Sequence, residues 1–374
     1  MQPHKYPLYK RPWFSVWLSA SGDIALKGLL APVMKPFTSD LISHFEDSAP
    51  IGEDEGQLIF STWMPPIPGN AFDRLARSQL NAKFGKNIPD QITISITEEC
   101  PNRCIHCALP DTDNKASLSP EEVNSVIDQA TRMGTTMIIF DGGEPMVHPD
   151  LVEMVGHVNP DKAVATVFTS GTGLTPEKAA SLKDAGLFAV NVSLDSPHIG
   201  EHDRMRGRSG VFEDALAAIR NSLEAGILVN IYVVLSPMNV GDLKEFYMLA
   251  VEMGVHELSF YEIVPTGRWI DHENDVLSRD DHKTFDSFVR WAKEDGRVRV
   301  FSIPHVMEST GCFAGRRWLH ITPQGDILPC ACIPIPYGNI KEESLKSIWK
   351  RIRRDPAYNA RSCLMRDSGF RERL

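Results

Sequence analysis

The residues best suited to chemistry in this 374-residue chain are its seven cysteines, which fall into two groups. About two hundred residues without cysteine separate the two groups, which together use every cysteine in the chain. In an intracellular protein, clustered cysteines more often bind metal or do chemistry than form disulfides. The first group is Cys100, Cys104 and Cys107, and the second is Cys312, Cys330, Cys332 and Cys363.

The first group has the spacing Cys-x₃-Cys-x₂-Cys, which lets one loop wrap one iron–sulfur cluster. Three thiolates on a cubane leave one iron without a protein ligand, and a catalytic metal site needs such an open coordination position. Spacing alone leaves three alternatives. His106 could complete a Cys₃His zinc site, the thiols could be buried and inert, or a fourth ligand from elsewhere could close an electron-transfer cluster.

A second motif, Gly142-Gly143-Glu144, lies one β/α unit further along the chain. Two glycines let the backbone approach a ligand closely, and a carboxylate can accept hydrogen bonds from an ammonium group. Taken alone, such a sequence is a plain glycine turn as often as a binding site. Its position shortly after three cysteines makes the motif specific.

A β/α alternation begins at residue 91 and carries both motifs. Its strand-like runs are rich in Val, Ile and Phe, as strands buried on both faces are. Helix-start signals occur at Ser119-Pro120 and Thr175-Pro176, and crossovers of helical length make the strands parallel. A complete eight-stranded barrel needs ~250 residues, so the region of about 200 residues favours a partial (β/α)₆ barrel. The six predicted strands are Gln91–Thr97, Thr136–Phe140, Ala163–Phe168, Phe188–Leu194, Leu228–Leu235 and Glu257–Val264.

The sequence therefore predicts an α/β protein in three parts: an accessory region over 1–88, the barrel over 89–300, and a small α+β domain over 301–374. In the last part we predict a hairpin from Trp318–Thr322 and Ile327–Pro329, then a helix over Ser344–Arg354. In the accessory region, Ala20–Phe37 is mildly amphipathic, which is typical of a packed helix or of a helix lying on a membrane surface.

Composition excludes several functional classes. The net charge of -10 argues against a nucleic-acid partner. The sequence contains no run of eighteen apolar residues, so we expect no membrane-spanning helix. The first twelve residues lack the features of a signal peptide. We therefore expect a cytoplasmic protein, with peripheral membrane contact left open for its amino-terminal region.

With both motifs and their strand context in hand, the chain resembles the radical S-adenosylmethionine (SAM) superfamily over residues 91 to about 265. The resemblance implies a four-iron four-sulfur cluster on the first cysteine group, whose open iron is chelated by SAM. It also implies that Gly142, Gly143 and Glu144 hold the methionyl amine. The expected activity is reductive cleavage of SAM to a 5′-deoxyadenosyl radical, which abstracts hydrogen from a substrate.

The resemblance extends, less specifically, to residues at the ends of the third and fourth strands and just beyond. Thr169 and Ser193 are expected to contact SAM, because a hydroxyl can bond a ribose or a carboxylate. Arg206 is expected to clamp a carboxylate with two nitrogens. Each of these residues could instead be a strand-end cap or part of a salt bridge. We expect adenine near Leu235-Ser236 and near Glu262–Pro265, also at strand ends, where barrel active sites form.

The second cysteine group resembles the truncated auxiliary-cluster domain of the SPASM and twitch subgroup. The full domain uses seven cysteines for two clusters, so four can complete only one auxiliary 4Fe-4S cluster. Four ligands would close the cluster, which is the arrangement we favour, whereas three would leave one iron open to substrate. Because Cys330 and Cys332 are one residue apart, both ligand counts stay open, and a zinc site is a further alternative.

We therefore expect an enzyme that acts on a peptide or on a cofactor or tetrapyrrole precursor and takes electrons from a low-potential donor. Lipid modification is the alternative that the amphipathic N-terminal stretch suggests. A non-catalytic iron–sulfur carrier is the second alternative, and it does not explain the glycine motif.

Overall fold

The computed structural model describes residues 5–19, 24–29, 31–32, 49–54, 56–109 and 115–374. Its strands form a three-stranded antiparallel sheet, a short hairpin and one nine-stranded sheet. The strands are β1 Lys5–Arg11, β2 Phe14–Ser19, β3 Ile24–Lys27, β4 Gly52–Asp54, β5 Gln57–Ile59, β6 Gln91–Ser95, β7 Met137–Asp141, β8 Val164–Thr169, β9 Leu187–Ser193, β10 Leu228–Leu235, β11 Glu257–Glu262, β12 Arg299–Ser302, β13 Trp318–Ile321 and β14 Ile327–Leu328.

Helices connect the parallel strands and cover the outside of the large sheet. The second helix begins with a full capping box between Ser119 and Glu122, as its sequence predicts. The α-helices are α1 Asn70–Lys83, α2 Pro120–Met133, α3 Leu151–Gly156, α4 Pro176–Asp184, α5 Ile199–Arg206, α6 Val211–Glu224, α7 Leu243–Met253, α8 Arg279–Asp295, α9 Ile303–Thr310, α10 Leu345–Ile352 and α11 Ser368–Arg371.

The large sheet confirms the predicted α/β class. All six predicted strands form, and β6 to β12 pair in chain order, each parallel to the next. The seventh parallel strand, β12, was not predicted, because it is short, begins with arginine and is only partly buried. The predicted boundary between residues 300 and 301 falls inside this strand.

The predicted hairpin forms between β13 and β14, but it does not build a separate sheet. Instead, β13 pairs in parallel with β6 on the edge opposite β12, so the C-terminal segment extends the barrel wall. The predicted helix is also present, as α10, with Ser344 as its N-cap.

Successive side chains along each strand point to opposite faces of the large sheet. On β7, Ile138 and Phe140 pack into the main core, while Ile139 and Asp141 line the barrel interior.

The N-terminal region closes the amino end of the barrel. Glu257, the first residue of β11, is fully buried and accepts hydrogen bonds from the Ser61 hydroxyl (2.8 Å) and the Thr62 backbone N–H (2.7 Å). Arg299 pairs with the same carboxylate at 3.1 Å. Trp63 then enters the barrel, where its indole N–H donates to Ser259 at 2.9 Å and its ring stacks on Phe301 at 5.7 Å.

The amphipathic-helix prediction for Ala20–Phe37 is wrong for part of that segment. Ile24–Lys27 is a strand that pairs with β2, and Leu26 packs beside the small core around Phe60. Pairing with a neighbouring strand outweighed the weak helical periodicity there. The rest of the prediction falls largely outside the described residues. Among the described residues, no helix combines the length and apolar character needed to cross a bilayer.

Candidate active site

A single cavity of about 340 Å³ occupies the barrel interior and reaches both cysteine groups. Each residue of the first group lines it, and so do Cys330 and Cys332 of the second group. Of the other predicted site residues, Gly142, Gly143, Thr169, Ser193 and Arg206 line the same cavity. Residues from the ends of several different strands therefore converge on one space, as in other barrel active sites.

The loop that carries the first cysteine group is fixed by backbone contacts on several sides. The backbone N–H groups of Gly143 and Glu144 donate to the carbonyls of Thr97 (2.7 Å) and Glu99 (2.8 Å). A Cβ on Gly143 would lie 2.3 Å from the Glu99 oxygen, so only glycine fits there. The prediction that both glycines serve a ligand is thus incomplete, because their close approach is to the chain just before Cys100.

The side chain of Glu144 does not reach the cavity. Its carboxylate is fully buried and accepts four hydrogen bonds, from the Thr169 hydroxyl (2.7 Å), the Ser170 N–H (2.8 Å) and hydroxyl (2.6 Å), and the Met146 N–H (3.2 Å). These donors use the acceptor capacity of a carboxylate. In this structure Glu144 holds Thr169 and Ser170 at the cavity wall, and its expected contact with the methionyl amine stays a prediction.

Arg206 forms a salt bridge, the alternative left open for it, and its expected contact with a carboxylate of SAM stays a prediction. It lies at the end of α5, pairs with Asp195 at 2.7 Å, and has a second nitrogen 3.7 Å from the Cys104 sulfur. Burial alone would raise the pKa of Asp195, but Arg206 and two neighbouring histidines hold that pKa below its usual range. A two-nitrogen clamp on a ligand carboxylate would compete with Asp195. In this structure the guanidinium lies between the Asp195 carboxylate and the Cys104 sulfur.

The chemistry of these donors fits an iron–sulfur cluster. Burial raises the pKa of the Cys107 thiol, so a metal cluster that binds it replaces a proton with a compensating positive charge. His106 turns its Nε2 to Asp195 at 3.4 Å. Within the described residues, only His198, Asp242 and Glu245 form a His, Cys, Asp or Glu set with ligand atoms all within 4.8 Å. The first group and His106 are therefore spaced more widely than a tetrahedral zinc site, whose ligands lie about 2–2.3 Å from the metal.

The second cysteine group is also brought together. One small pocket beside α9 and β13 is lined by all four of its cysteines, Cys312, Cys330, Cys332 and Cys363.

Adenine was expected at the ends of the last two predicted strands, and only some of the residues at the end of β11 face the cavity. Ile263 and Val264 line the main cavity, but the Glu262 carboxylate turns away from it to Arg366 and His282.

Several cavity residues were missed by sequence reasoning. Trp63 comes from the accessory region, and His320 comes from β13, which joins the barrel wall. Asp141 precedes the glycine motif, and burial raises its pKa to about 6. Tyr232 and Tyr261 form part of an aromatic wall. Alternation along β7, β10 and β11 could have identified the last three, whereas Trp63 and His320 depend on long-range packing.

Comparison with known proteins agrees with this architecture. Residues 94–250 match the Radical SAM superfamily, and residues 312–371 match an iron–sulfur cluster-binding domain of the SPASM type. A PqqA peptide cyclase from Rhizobium meliloti is 30% identical over 303 residues, covering 76% of this chain and 80% of that protein. An AdoMet-dependent heme synthase from Methanosarcina barkeri is 28% identical over 301 residues, covering 72% of this chain and 86% of that protein.

Solved structures share the fold. SuiB from Streptococcus suis, bound to its precursor peptide SuiA, superposes with a TM-score of 0.62 at 15% identity, covering 95% of this chain and 88% of that one. This chain belongs to the radical SAM superfamily and is an enzyme whose cofactors are iron–sulfur clusters and SAM. The alternative of a non-catalytic electron carrier is therefore set aside.

The first prediction concerns the contact between Gly143 and the cysteine loop. Gly143→Ala should displace the chain before Cys100 and reduce the iron bound at the first group, with a loss of roughly 2–4 kcal/mol of stability. Gly156→Ala is the control, because its Cβ would meet only Ala185, at 3.9 Å. Iron analysis and thermal unfolding measure both variants. Normal iron binding by Gly143→Ala would contradict the proposed packing constraint.

The second prediction concerns His320, which is 3% exposed and whose pKa burial lowers to about 4. The unfolded chain protonates this histidine near pH 6.5, whereas the folded chain does not until about pH 4. Stability should therefore fall as the pH drops from 6.5 towards 4, by about 2 kcal/mol at pH 5. In urea unfolding of the iron-free chain, His320→Gln should reduce this dependence, although the buried His202 keeps part of it, while the control His272→Gln, at an exposed histidine, should leave it unchanged. An unchanged slope in His320→Gln would refute the assignment.

The third prediction concerns Trp63, which lines both the main cavity and a second one of about 160 Å³ at the amino end of the barrel. Trp63→Ala should join the two cavities and cost about 3–5 kcal/mol. Added indole should fill the space and raise the Tm of this variant. It should not raise the Tm of the wild type or of Trp13→Ala, which removes a tryptophan that is 64% exposed. If indole left the Tm of Trp63→Ala unchanged, Trp63 would not be the floor of the cavity.

Proposed function

We propose that this enzyme cleaves SAM at a cluster held by Cys100, Cys104 and Cys107 and modifies a peptide substrate in the barrel. The observation that carries the proposal is the single cavity that joins the first cysteine group, the glycine motif and two cysteines of the second group. Its proposed organisation keeps the three sequence regions, with the C-terminal part forming one barrel wall. A cytoplasmic location and a low-potential electron donor belong to the same proposal.

When bound, the cluster and SAM supply one-electron cleavage of the sulfonium and a 5′-deoxyadenosyl radical that abstracts hydrogen. The chain contributes binding and orientation. Backbone atoms of Gly142 and Gly143 border the space for the methionyl group, while Thr169 and Ser193 offer hydroxyls to polar atoms of SAM. Glu144 acts through Thr169 and Ser170, whose hydroxyls it fixes in place.

The second group is proposed to hold one auxiliary 4Fe-4S cluster with four cysteine ligands. All four sulfur-bearing residues border the same pocket, which supports a common site. Burial raises the pKa values of Cys312 and Cys363, so cluster binding would displace their protons as at the first site. Four ligands leave this cluster closed and suit it to electron transfer, and Cys330 and Cys332 bring it to the edge of the reaction cavity.

The cavity walls favour a peptide side chain as the group that reacts. One wall is aromatic and aliphatic, from Phe168, Tyr232, Tyr261 and Ile263. Residues on β6, β7 and β13 add hydrogen-bonding groups to the same cavity, from Gln91, Thr93, Ser95, Asp141 and His320. Such a pairing of an apolar face with a few polar groups is typical of pockets that orient one small moiety.

The charge of the cavity lining distinguishes a peptide substrate from a tetrapyrrole precursor. A tetrapyrrole precursor carries several carboxylates, each of which favours a cationic partner. Among the described cavity residues, the lysine and arginine side chains are Lys115, Arg206 and Arg268. Arg206 already pairs with Asp195, and Arg268 donates to the carbonyl of Cys104 at 2.9 Å. This scarcity of available cations supports a peptide.

A tetrapyrrole substrate is the second candidate, because a heme synthase is among the similar proteins. The two candidates differ in which compound stimulates release of 5′-deoxyadenosine by the reconstituted enzyme. Peptides encoded beside the gene should stimulate it, and a tetracarboxylate porphyrin should not. The reverse result would select tetrapyrrole chemistry. The lipid alternative has no observation in its favour, since its amphipathic segment includes a strand.

The fourth prediction tests the cluster assignment with two cysteine variants. In protein reconstituted under anaerobic conditions and given dithionite and SAM, Cys104→Ala should abolish 5′-deoxyadenosine formation and lower iron by roughly half, because it loses one of two clusters. Cys363→Ala is the matched control, and its first cluster should still cleave SAM. The assignment of Cys104 fails if its variant still releases 5′-deoxyadenosine. The division into two sites fails if Cys363→Ala releases none.

A further inference from the structure

Three consecutive residues after β11 contact both cysteine groups. The Thr266 hydroxyl donates to the carbonyl of Cys332 at 2.8 Å. The Arg268 backbone N–H donates to the carbonyl of Cys107 at 2.9 Å, and its guanidinium donates to the carbonyl of Cys104 at the same distance. We call Thr266–Arg268 the bridge, since it joins loops that lie more than two hundred residues apart in the sequence.

The contact between the bridge and the first cysteine loop is close because backbone atoms make it. Gly267 has φ +51°, and a Cβ there would lie 2.2 Å from the Cys107 oxygen. No side chain can intervene, so the bridge and the end of the cysteine loop move together. On the other side, Thr266 is 6% exposed, so its hydrogen bond to Cys332 is shielded from water.

The second loop in turn depends on contacts near Cys332. The backbone N–H of Ile333 donates to the carbonyl of Cys330 at 3.0 Å, which closes a turn around the two cysteines. A shift of this turn moves the Cys332 carbonyl, and the Thr266 hydroxyl is bonded to that oxygen. Only Gly267 separates Thr266 from Arg268, so a displacement of Thr266 is transmitted to Arg268 almost unchanged.

We propose that the bridge couples the two cysteine groups, so that the order of the first loop depends on the order of the second. The proposal rests on the proposed function, in which the two groups hold separate clusters. Its consequence is that assembly of the auxiliary site restricts the motion of the loop at the SAM-cleaving site, while the first cluster can still form without it. Thr266 and Arg268 are then positioning residues, which act through the loops that they contact. Such coupling must be reciprocal.

The fifth prediction tests the bridge by amide hydrogen exchange in the full chain, before and after reconstitution. Thr266→Val keeps the side-chain shape and removes the donated hydrogen bond, so exchange should rise about three- to ten-fold at Ile333 and also at Ile105 and Cys107. Thr135→Val is the matched control, because Thr135 is likewise buried and donates to one carbonyl, that of Pro89, at 2.7 Å. It should change neither loop.

A double-mutant cycle separates coupling from a local structural role. Cys363→Ala should raise exchange at Ile105 and Cys107 in the wild-type background and add little in the Thr266→Val background. In reconstituted protein, Thr266→Val should also change the electron paramagnetic resonance spectrum of the first cluster with SAM while the iron content stays the same. Faster exchange confined to Ile333, or fully additive effects of the two substitutions, would overturn the proposal. Because exchange in the iron-free chain needs no cluster, this result is distinguishable from failure of the cluster assignment.

Discussion

Close backbone packing around the loop of Cys100, Cys104 and Cys107 is the constraint on which the rest of the site depends. Gly143 meets this loop on its N-terminal side and Gly267 on its C-terminal side, each at a distance that leaves no room for a Cβ. The carbonyls of Arg206 and Met205 accept hydrogen bonds from Arg103 and Ile105 between them. The loop is thus held by the segments that follow β7 and β11 and by the end of α5.

Electrostatics adds a second requirement at the same place. Arg206 and Asp195 are both buried, and removing either partner alone would leave an uncompensated charge. The pair lies next to Cys104 and His106, so the positive charge is fixed beside a cysteine of the first group. Glu144, another buried carboxylate, is satisfied instead by neutral donors from Thr169 and Ser170.

The sequence was most informative where the physical signal is local. Apolar runs predicted the six parallel strands, and caps such as Ser119 predicted helix starts, because both depend on neighbours within a few residues. Cysteine spacing predicted one cluster loop for the same reason. The identity of a motif did not reveal its geometry: the glycines of Gly142-Gly143 face the chain itself as well as the cavity, and Glu144 faces Thr169 and Ser170.

Features made by distant segments could not be predicted in this way. His320 enters the cavity because β13 pairs with β6, about 230 residues earlier in the chain. Trp63 lines the cavity because Ser61 and Thr62 hold its segment against Glu257 by hydrogen bonds. Neither pairing leaves a periodic signal in the sequence. Segments that precede and follow strands β6 to β12 therefore line the cavity that reaches both cysteine groups. In the proposed function, these segments select the substrate and the barrel provides the site for SAM.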